Sequence, residues 1–442
     1  MQQRDIFRFW LPLFASWLLM TAEGPIVSAT INRLPNEVVM LAAQGIVVAL
    51  SVMIESPIIN LLATSTALVK DRASFLLVRR FTIHWMILLT GITILIAFTP
   101  VFDLVVVQMM SAPPEVAFWV RPGMQIMTFW SAAIAWRRFL QGVLIHFGQP
   151  SKMAWGTLIR LLTSGGTAIL LGVYFDLPGV IIGATALMVG VVAEALFATI
   201  AVRPLLHHQL SPTAPAADED VLTYSELFWF HLPLAGTSLM ILLVQPLITS
   251  SLARLDKPTQ SLAAWPVLFQ ILLMARAAAF ALPEAVIALS KGTTNFSPLR
   301  RFTGSLTLGV TLFMVLFTFS PLASFYIFVI QDMTESVGEL VQLTLVFYLL
   351  FPGMTVVGMW LRGVLINGRQ TTDVNVAMGI NLAVTVVVLG IGLALHLPGL
   401  PTAAAALNLA VFCEIIYLAW RTQRIVPIRL FSFSRPKPRP II

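Results

Sequence analysis

Charge is what this sequence has least of. Asp, Glu, Lys and Arg make up only 11% of the 442 residues, whereas 58% are hydrophobic, and the mean hydropathy is +0.89. A soluble domain, in which about a quarter of residues are charged, is excluded. Cysteine is nearly absent too: Cys413 is the single one, which rules out a disulfide within the chain and makes a thiolate metal centre untenable. No glycine-rich loop that could cradle phosphates, no metal-ligand spacing and no Ser/His/Asp arrangement stands out, so no metal, cofactor or enzymatic activity is expected. A nucleotide-driven pump would need a nucleotide-binding domain, for which no signature is found.

What is abundant is apolar sequence. A helix needs roughly 20 apolar residues to cross a bilayer, and the apolar runs here are broken by short polar or Pro/Gly stretches about every 35 residues. Twelve spans are predicted, at 7–31, 38–68, 81–98, 116–145, 154–175, 179–202, 225–253, 259–289, 302–330, 336–366, 374–395 and 400–420. The net charge of +7 does not call for nucleic acid, because the basic residues are sorted by side. With the N-terminus inside, inner ends and loops hold 22 of the 27 Lys and Arg; Arg33, Arg121, Arg254 and Lys257 fall outside and Arg276 within a span. The positive-inside rule then places both termini in the cytoplasm, in the plasma (inner) membrane.

The chain is also duplicated. Pro12, Pro25, Arg33, Leu41-Ala42-Ala43 and Arg79-Arg80-Phe81-Thr82 recur as Pro233, Pro246, Arg254, Leu262-Ala263-Ala264 and Arg300-Arg301-Phe302-Thr303, at a constant offset of 221. Gly142 to Ile145 recurs at Gly363 to Ile366. Beyond that the offset is 220, with Pro178 on Pro398 and Glu194 on Glu414. Segment 1 has the look of a signal peptide, but its copy in mid-chain argues against cleavage. Six spans per half give two halves of the same orientation: an all-α integral membrane fold of two parallel six-helix, pseudo-symmetric lobes around a central cavity. The expected domains are an N-lobe (1–204), a linker (205–224) containing Asp218-Glu219-Asp220, a C-lobe (225–422) and a basic tail (423–442).

Ionisable residues inside a span are costly and mark candidate sites. Glu23 precedes Gly24-Pro25, where the proline loosens the helix, so it is read either as a proton or sodium site or as a structural carboxyl. Its copy is Val244. Glu55 falls on Arg276 at the same offset, an inverted-charge pair that could meet across the central axis or find partners within each half; Glu284 is a competitor for Arg276. Arg137, Arg138 and Arg362, near the inner ends of spans 4 and 10, could line a cavity and take anionic substrates, or simply snorkel. Pro25, Pro57, Pro246 and Pro283 are the expected helix kinks. Asp103 and Arg121 belong to the outer rim, and the repeat gives Glu194 and Glu414 a shared structural role. Asn295-Phe296-Ser297 fits a glycosylation pattern but lies on the predicted inner side.

Two six-helix halves, the Pro-broken first helix with its carboxylate, Leu41-Ala42-Ala43 and the Gly-plus-small starts of spans 6 and 12 resemble the MATE-type fold of the multidrug, oligosaccharidyl-lipid and polysaccharide (MOP) transporter superfamily. Within it, Glu23 to Arg33, Thr66 to Arg72, Gln245 to Asp256 and Ala135-Trp136 to Leu144 are most similar to the progressive-ankylosis family; Arg276, well before Pro283-Glu284, departs from its pattern. The resemblance implies a transporter exporting citrate, pyrophosphate or nucleotides; alternating access is the expected mechanism, and the buried charges themselves point to Arg276, Arg137, Arg138 and Arg362 on the substrate and to Glu23, Glu55 and Glu284 in coupling or gating. A proton- or sodium-coupled multidrug or organic-cation antiporter and a lipid-linked substrate flippase are the alternatives. The expected partners are a small molecule and the bilayer, and the chain is expected to act as a monomer.

Overall fold

The computed structural model describes residues 2–149, 151–210, 222–289, 297–368 and 370–425. The Asp218 to Asp220 run, Asn295, Phe296 and the tail with Arg435, Lys437 and Arg439 lie outside them. Twelve helical stretches follow one another: α1 (Gln3–Ile31), α2 (Glu37–Leu68), α3 (Arg72–Phe98), α4 (114–146), α5 (Ser151–Tyr174), α6 (Gly179–His208), α7 (Tyr224–Leu252), α8 (Pro258–Leu289), α9 (Ser297–Phe319), α10 (335–367), α11 (Thr371–Ala394) and α12 (Gly399–Ile425). Ten are long and apolar enough to cross a membrane, and α10, bent by 47°, makes an eleventh. By length and composition ten to eleven of the described stretches therefore qualify, and α4, which carries Glu115, Arg121, Arg137 and Arg138, is not among them. The basic stretch between the second and third expected spans is helix from Arg72, where α3 begins, capped by Asp71.

The prolines explain where the helices break. Pro25 has no N–H for the carbonyl of Thr21, and the first piece of α1 ends at Thr21. Pro246 stands in the same relation to Leu242, where the first piece of α7 ends. In α2 the helix gives way at Glu55 to a 3-10 turn, Ser56–Ile58, around Pro57, and α8 is interrupted after Phe280, ahead of Pro283. The repeat extends to backbone that the side chains do not reveal. Asn36 and Lys257, 221 residues apart, are both left-handed, as are Ser111 and Asp332. Each of the latter follows a π-helical turn, Asp103–Met109 or Phe325–Ile330.

The halves meet where α2 crosses α8. A Cβ on Gly45 would lie 2.7 Å from Cγ of Pro266, its own counterpart in the repeat, so the pseudo-twofold axis passes between them. Away from this crossing the first helix of each half leans on the other half. Trp10 Nε1 donates to the Ala278 carbonyl at 3.0 Å, and His231 Nε2 to the Pro57 carbonyl at 2.9 Å. Both donor and acceptor are related by the same offset. A carbonyl only accepts, so the His231 proton sits on Nε2 and Nδ1 faces Thr64 at 2.8 Å.

Within the first half, α4 is pressed against α2 at Gly142, where a Cβ would collide with Ser65 Oγ and the Leu62 carbonyl. Gly142→Leu is therefore expected to destabilise the fold by about 1–3 kcal/mol, seen as a lower melting temperature in detergent. Gly91→Leu, which points into open space, should leave melting unchanged.

Candidate functional site

Among the described residues two clusters of buried charge are related by the repeat, one per half. In the first, Glu23 opens the second piece of α1, and Arg160 of α5 grips it with Nε to Oε1 at 3.1 Å and Nη2 to Oε2 at 2.5 Å. Such a forked pair is the strong form of a charged hydrogen bond. The approach needs Gly190 on α6, because a Cβ there would sit 3.2 Å from Glu23 Oε1. Arg160 also lies 3.9 Å from Glu194 Oε2 and rests over the Trp130 ring at 5.7 Å. Glu194 in turn accepts from Arg137 Nη1 at 2.5 Å and from Gln141 Nε2 at 2.9 Å. A void of about 10 Å³, the room of about one water, adjoins Glu23, Thr157, Arg160 and Arg137.

The second cluster answers it. Arg362 of α10 donates through Nε to Glu414 Oε1 at 2.8 Å, and Asn381 Nδ2 to Oε2 at 2.8 Å. Glu414 is the counterpart of Glu194, but Arg362 is the counterpart of Gln141, and Arg137 corresponds to Gly358. Each carboxylate thus receives one arginine and one amide, with the arginine moved one helical turn along the same face.

Arg276 behaves differently from these paired arginines. Its Nε donates to Thr355 Oγ1 at 3.1 Å, and the guanidinium lies 5.1 Å from the Phe280 ring and 4.8 Å from that of Phe351. It forms no ion pair with Glu55 among the described residues. The charged neighbours of Arg276 are Arg362 and Glu414, and those of Glu55 are Arg137, Arg160 and Arg138, all within their own halves. The inverted pair across the axis is therefore absent from this structure. The physical reason is the crossing of α2 and α8: Gly45 and Pro266 touch, but Glu55 and Arg276 are ten residues on, roughly 15 Å along each helix, where the two have diverged. Glu284 is exposed and does not act on Arg276.

Of the candidate arginines, Arg137 and Arg362 are therefore tied to glutamates, whereas Arg138 and Arg276 have no carboxylate within ion-pair distance among the described residues; Arg138 Nε is buried without an acceptor. The sequence reading missed Arg160, counted there among the inner basic residues, and the amides Gln141 and Asn381. The offset that sets Arg362 on Gln141, one turn from Arg137, was the available signal. The carbonyl of Pro25, next to the loosened turn, takes a hydrogen bond from Gln331 Nε2 at 3.2 Å.

At the end of the bundle holding Arg33 and Arg254 the halves are tied twice. Arg33 Nη2 donates to the carbonyls of Val329 at 3.1 Å and Ile330 at 2.9 Å, with Asp332 at 3.7 Å. Arg254 does the same to the carbonyls of Gln108 and Met109, and its Nε donates to Ser111 at 3.0 Å. Every partner is related by the offset of 221. Each arginine caps the end of a π-helical turn, where carbonyls lack internal donors and the helix dipole is negative. At the rim, Arg121 pairs with Asp103 at 3.1 Å.

No family model and no curated protein matches the sequence. Solved structures do match. A multidrug resistance MATE family transporter of the MOP superfamily, in an inward-facing conformation, aligns over 96% of this chain and 98% of its own with a TM-score of 0.73 at 14% identity. The lipid II flippase MurJ, in an inward closed conformation, aligns over 94% and 87% with a TM-score of 0.72 at 14% identity. A MOP superfamily transporter from Pyrococcus furiosus, described as having a binding pocket of reverse polarity that suggests a different function, aligns over 96% of both chains with a TM-score of 0.63 at 16% identity. The fold is that of the MATE-type transporters of the MOP superfamily, and the chain is an integral membrane protein. Nothing in these comparisons supports the finer resemblance to the progressive-ankylosis family.

The Glu23–Arg160 pair is 8% and 15% exposed. Removing one partner strands the other, so Arg160→Ala should cost about 3–5 kcal/mol, read as a fall in melting temperature in detergent. Adding Glu23→Gln to it should recover part of that loss.

Proposed function

We propose that this protein is a secondary transporter whose two halves act as lobes, exporting a small organic or phosphorylated anion by alternating access. The observation that carries the reading is Arg276, a guanidinium in mid-span that is oriented by Thr355 and two aromatic rings but not neutralised by a carboxylate. The first cluster holds Glu23, Glu55 and Glu194 against Arg137, Arg138 and Arg160 and is balanced. The second holds Glu414 against Arg276 and Arg362 and keeps one positive charge in excess. A cation antiporter would need surplus carboxylate, and Glu23 is occupied by Arg160. Citrate, pyrophosphate and nucleotides suit a forked donor, and they are the substrates that the family resemblance implies. A lipid-linked pyrophosphate presents the same chemistry.

Proteoliposome flux of citrate, pyrophosphate and ATP tests this, with scrambling of a lipid-linked sugar pyrophosphate as a separate arm. Arg276→Gln should cut anion transport at least about tenfold, the worth of one charged hydrogen bond, without lowering the melting temperature by a comparable margin. Efflux of cationic dyes with no anion flux would overturn the proposal.

With the Arg33 and Arg254 clasps outside, as the positive-inside rule predicts, the two clasps are proposed to hold the exterior gate. Replacing both, Arg33→Ala with Arg254→Ala, should favour opening there. In a Cys413→Ser background, an impermeant maleimide applied from outside should then label Ser28→Cys, buried in this state, several-fold faster. Unchanged labelling would show that the clasps do not hold the gate.

A further inference from the structure

Glu55 is the carboxylate of the first cluster left without a committed partner. Only 7% exposed, it has its Oε2 buried without an ion pair or a well-formed hydrogen bond, and the indole N–H of Trp130 is the one donor directed at the carboxylate among the described residues. The buried carboxylates Glu23, Glu194 and Glu414 each accept at least two hydrogen bonds. Of the three arginines around Glu55, Arg160 is committed to Glu23 and Arg137 to Glu194, which leaves Arg138. Arg138 has no ion pair among the described residues, and its Nε is buried without an acceptor. From α7, the charge-bearing group nearest in the chain's hydrogen bonding is His231, held by Pro57 and Thr64 two to nine residues along α2 from Glu55. An uncommitted carboxylate and an uncommitted guanidinium therefore sit in one cluster, and Glu55 precedes the Ser56–Ile58 break in α2.

We propose that Glu55 is an internal substitute for the anionic substrate: it balances Arg138 while the site is empty, and binding of the anion is accompanied by uptake of one proton on Glu55. This rests on the anion reading above. With Glu55 ionised the two clusters together carry one excess positive charge; with a proton on a Glu55 oxygen they carry two, and Arg138 of the first cluster becomes available to an anion. The new O–H turns the acceptor into a donor. The proton is the only charge added besides the anion, and it arrives from water, so that anion and proton travel together. Glu23, chelated by Arg160, is not the coupling group in this scheme, although the helix around it is loosened by Pro25.

The test uses the full chain in nanodiscs. Calorimetric titration with pyrophosphate or citrate, in buffers of different ionisation enthalpy, counts protons taken up per anion after subtraction of the anion's own titration. About one proton per anion is expected in the wild type, with affinity falling up to about tenfold per pH unit where that uptake occurs. Glu55→Gln should bind the anion with no proton uptake and no such slope. Infrared difference spectra of the wild type, which do not depend on the variant folding, should show a protonated carboxylic acid appearing when pyrophosphate is added. Anion binding without proton uptake, or uptake that survives in Glu55→Gln, would overturn the coupling role and leave the anion reading standing. No binding of either anion to the wild type would defeat both.

Discussion

Everything inside this bundle depends on how guanidinium groups meet carboxylates where water is scarce. An ion in the hydrocarbon layer is tolerated only with a partner, so the positions of Glu23, Glu194 and Glu414 dictate which helices must lie side by side. Arg160 ties α5 to α1, Arg137 ties α4 to α6, and Arg362 ties α10 to α12. Once these are satisfied, the groups left over become informative. Arg276, Arg138 and Glu55 are those leftovers, and the proposed chemistry is built on them.

The scaffold was legible in the sequence because the repeat is written in residues with strong backbone consequences. A proline withholds an N–H from the helix, so Pro25 and Pro246 announced the broken first helices of both halves, although Pro12, Pro233 and Pro266 sit within continuous helix. The inner charges were legible as a set but not as pairs. Sequence offset locates equivalent positions, yet it does not say whether equivalent positions touch. Gly45 and Pro266 do; Glu55 and Arg276 do not, because two straight helices that cross at one point part on either side of it. Arg160 went unnoticed since charge counting by side treats it as one more inner basic residue, whereas its reach across to α1 is a tertiary fact. The π-turns and the left-handed Ser111 and Asp332 carry no sequence signature that would mark them in advance.

The two clasps show duplication used with a difference. Their geometry is the same down to the carbonyls engaged, but the residue after each π-turn is Asp332 in one and Ser111 in the other. The Arg33 clasp has a carboxylate close by and the Arg254 clasp a hydroxyl, so salt screens them unequally. A cation in the surrounding solution competes for one clasp more than for the other.

The contact of Gly45 with Pro266 also acts as a fulcrum. It lies about 12 Å from the Glu37 end of α2 and about 15 Å from Glu55, where the unbroken helix ends, so the two arms are of similar length. If that piece tilts on the point, a displacement at the clasped rim is returned at about the same size at the Ser56–Ile58 break. The missing side chain at residue 45 thus sets the gearing: a larger residue there would move the pivot and change how far one gate must travel to work the other.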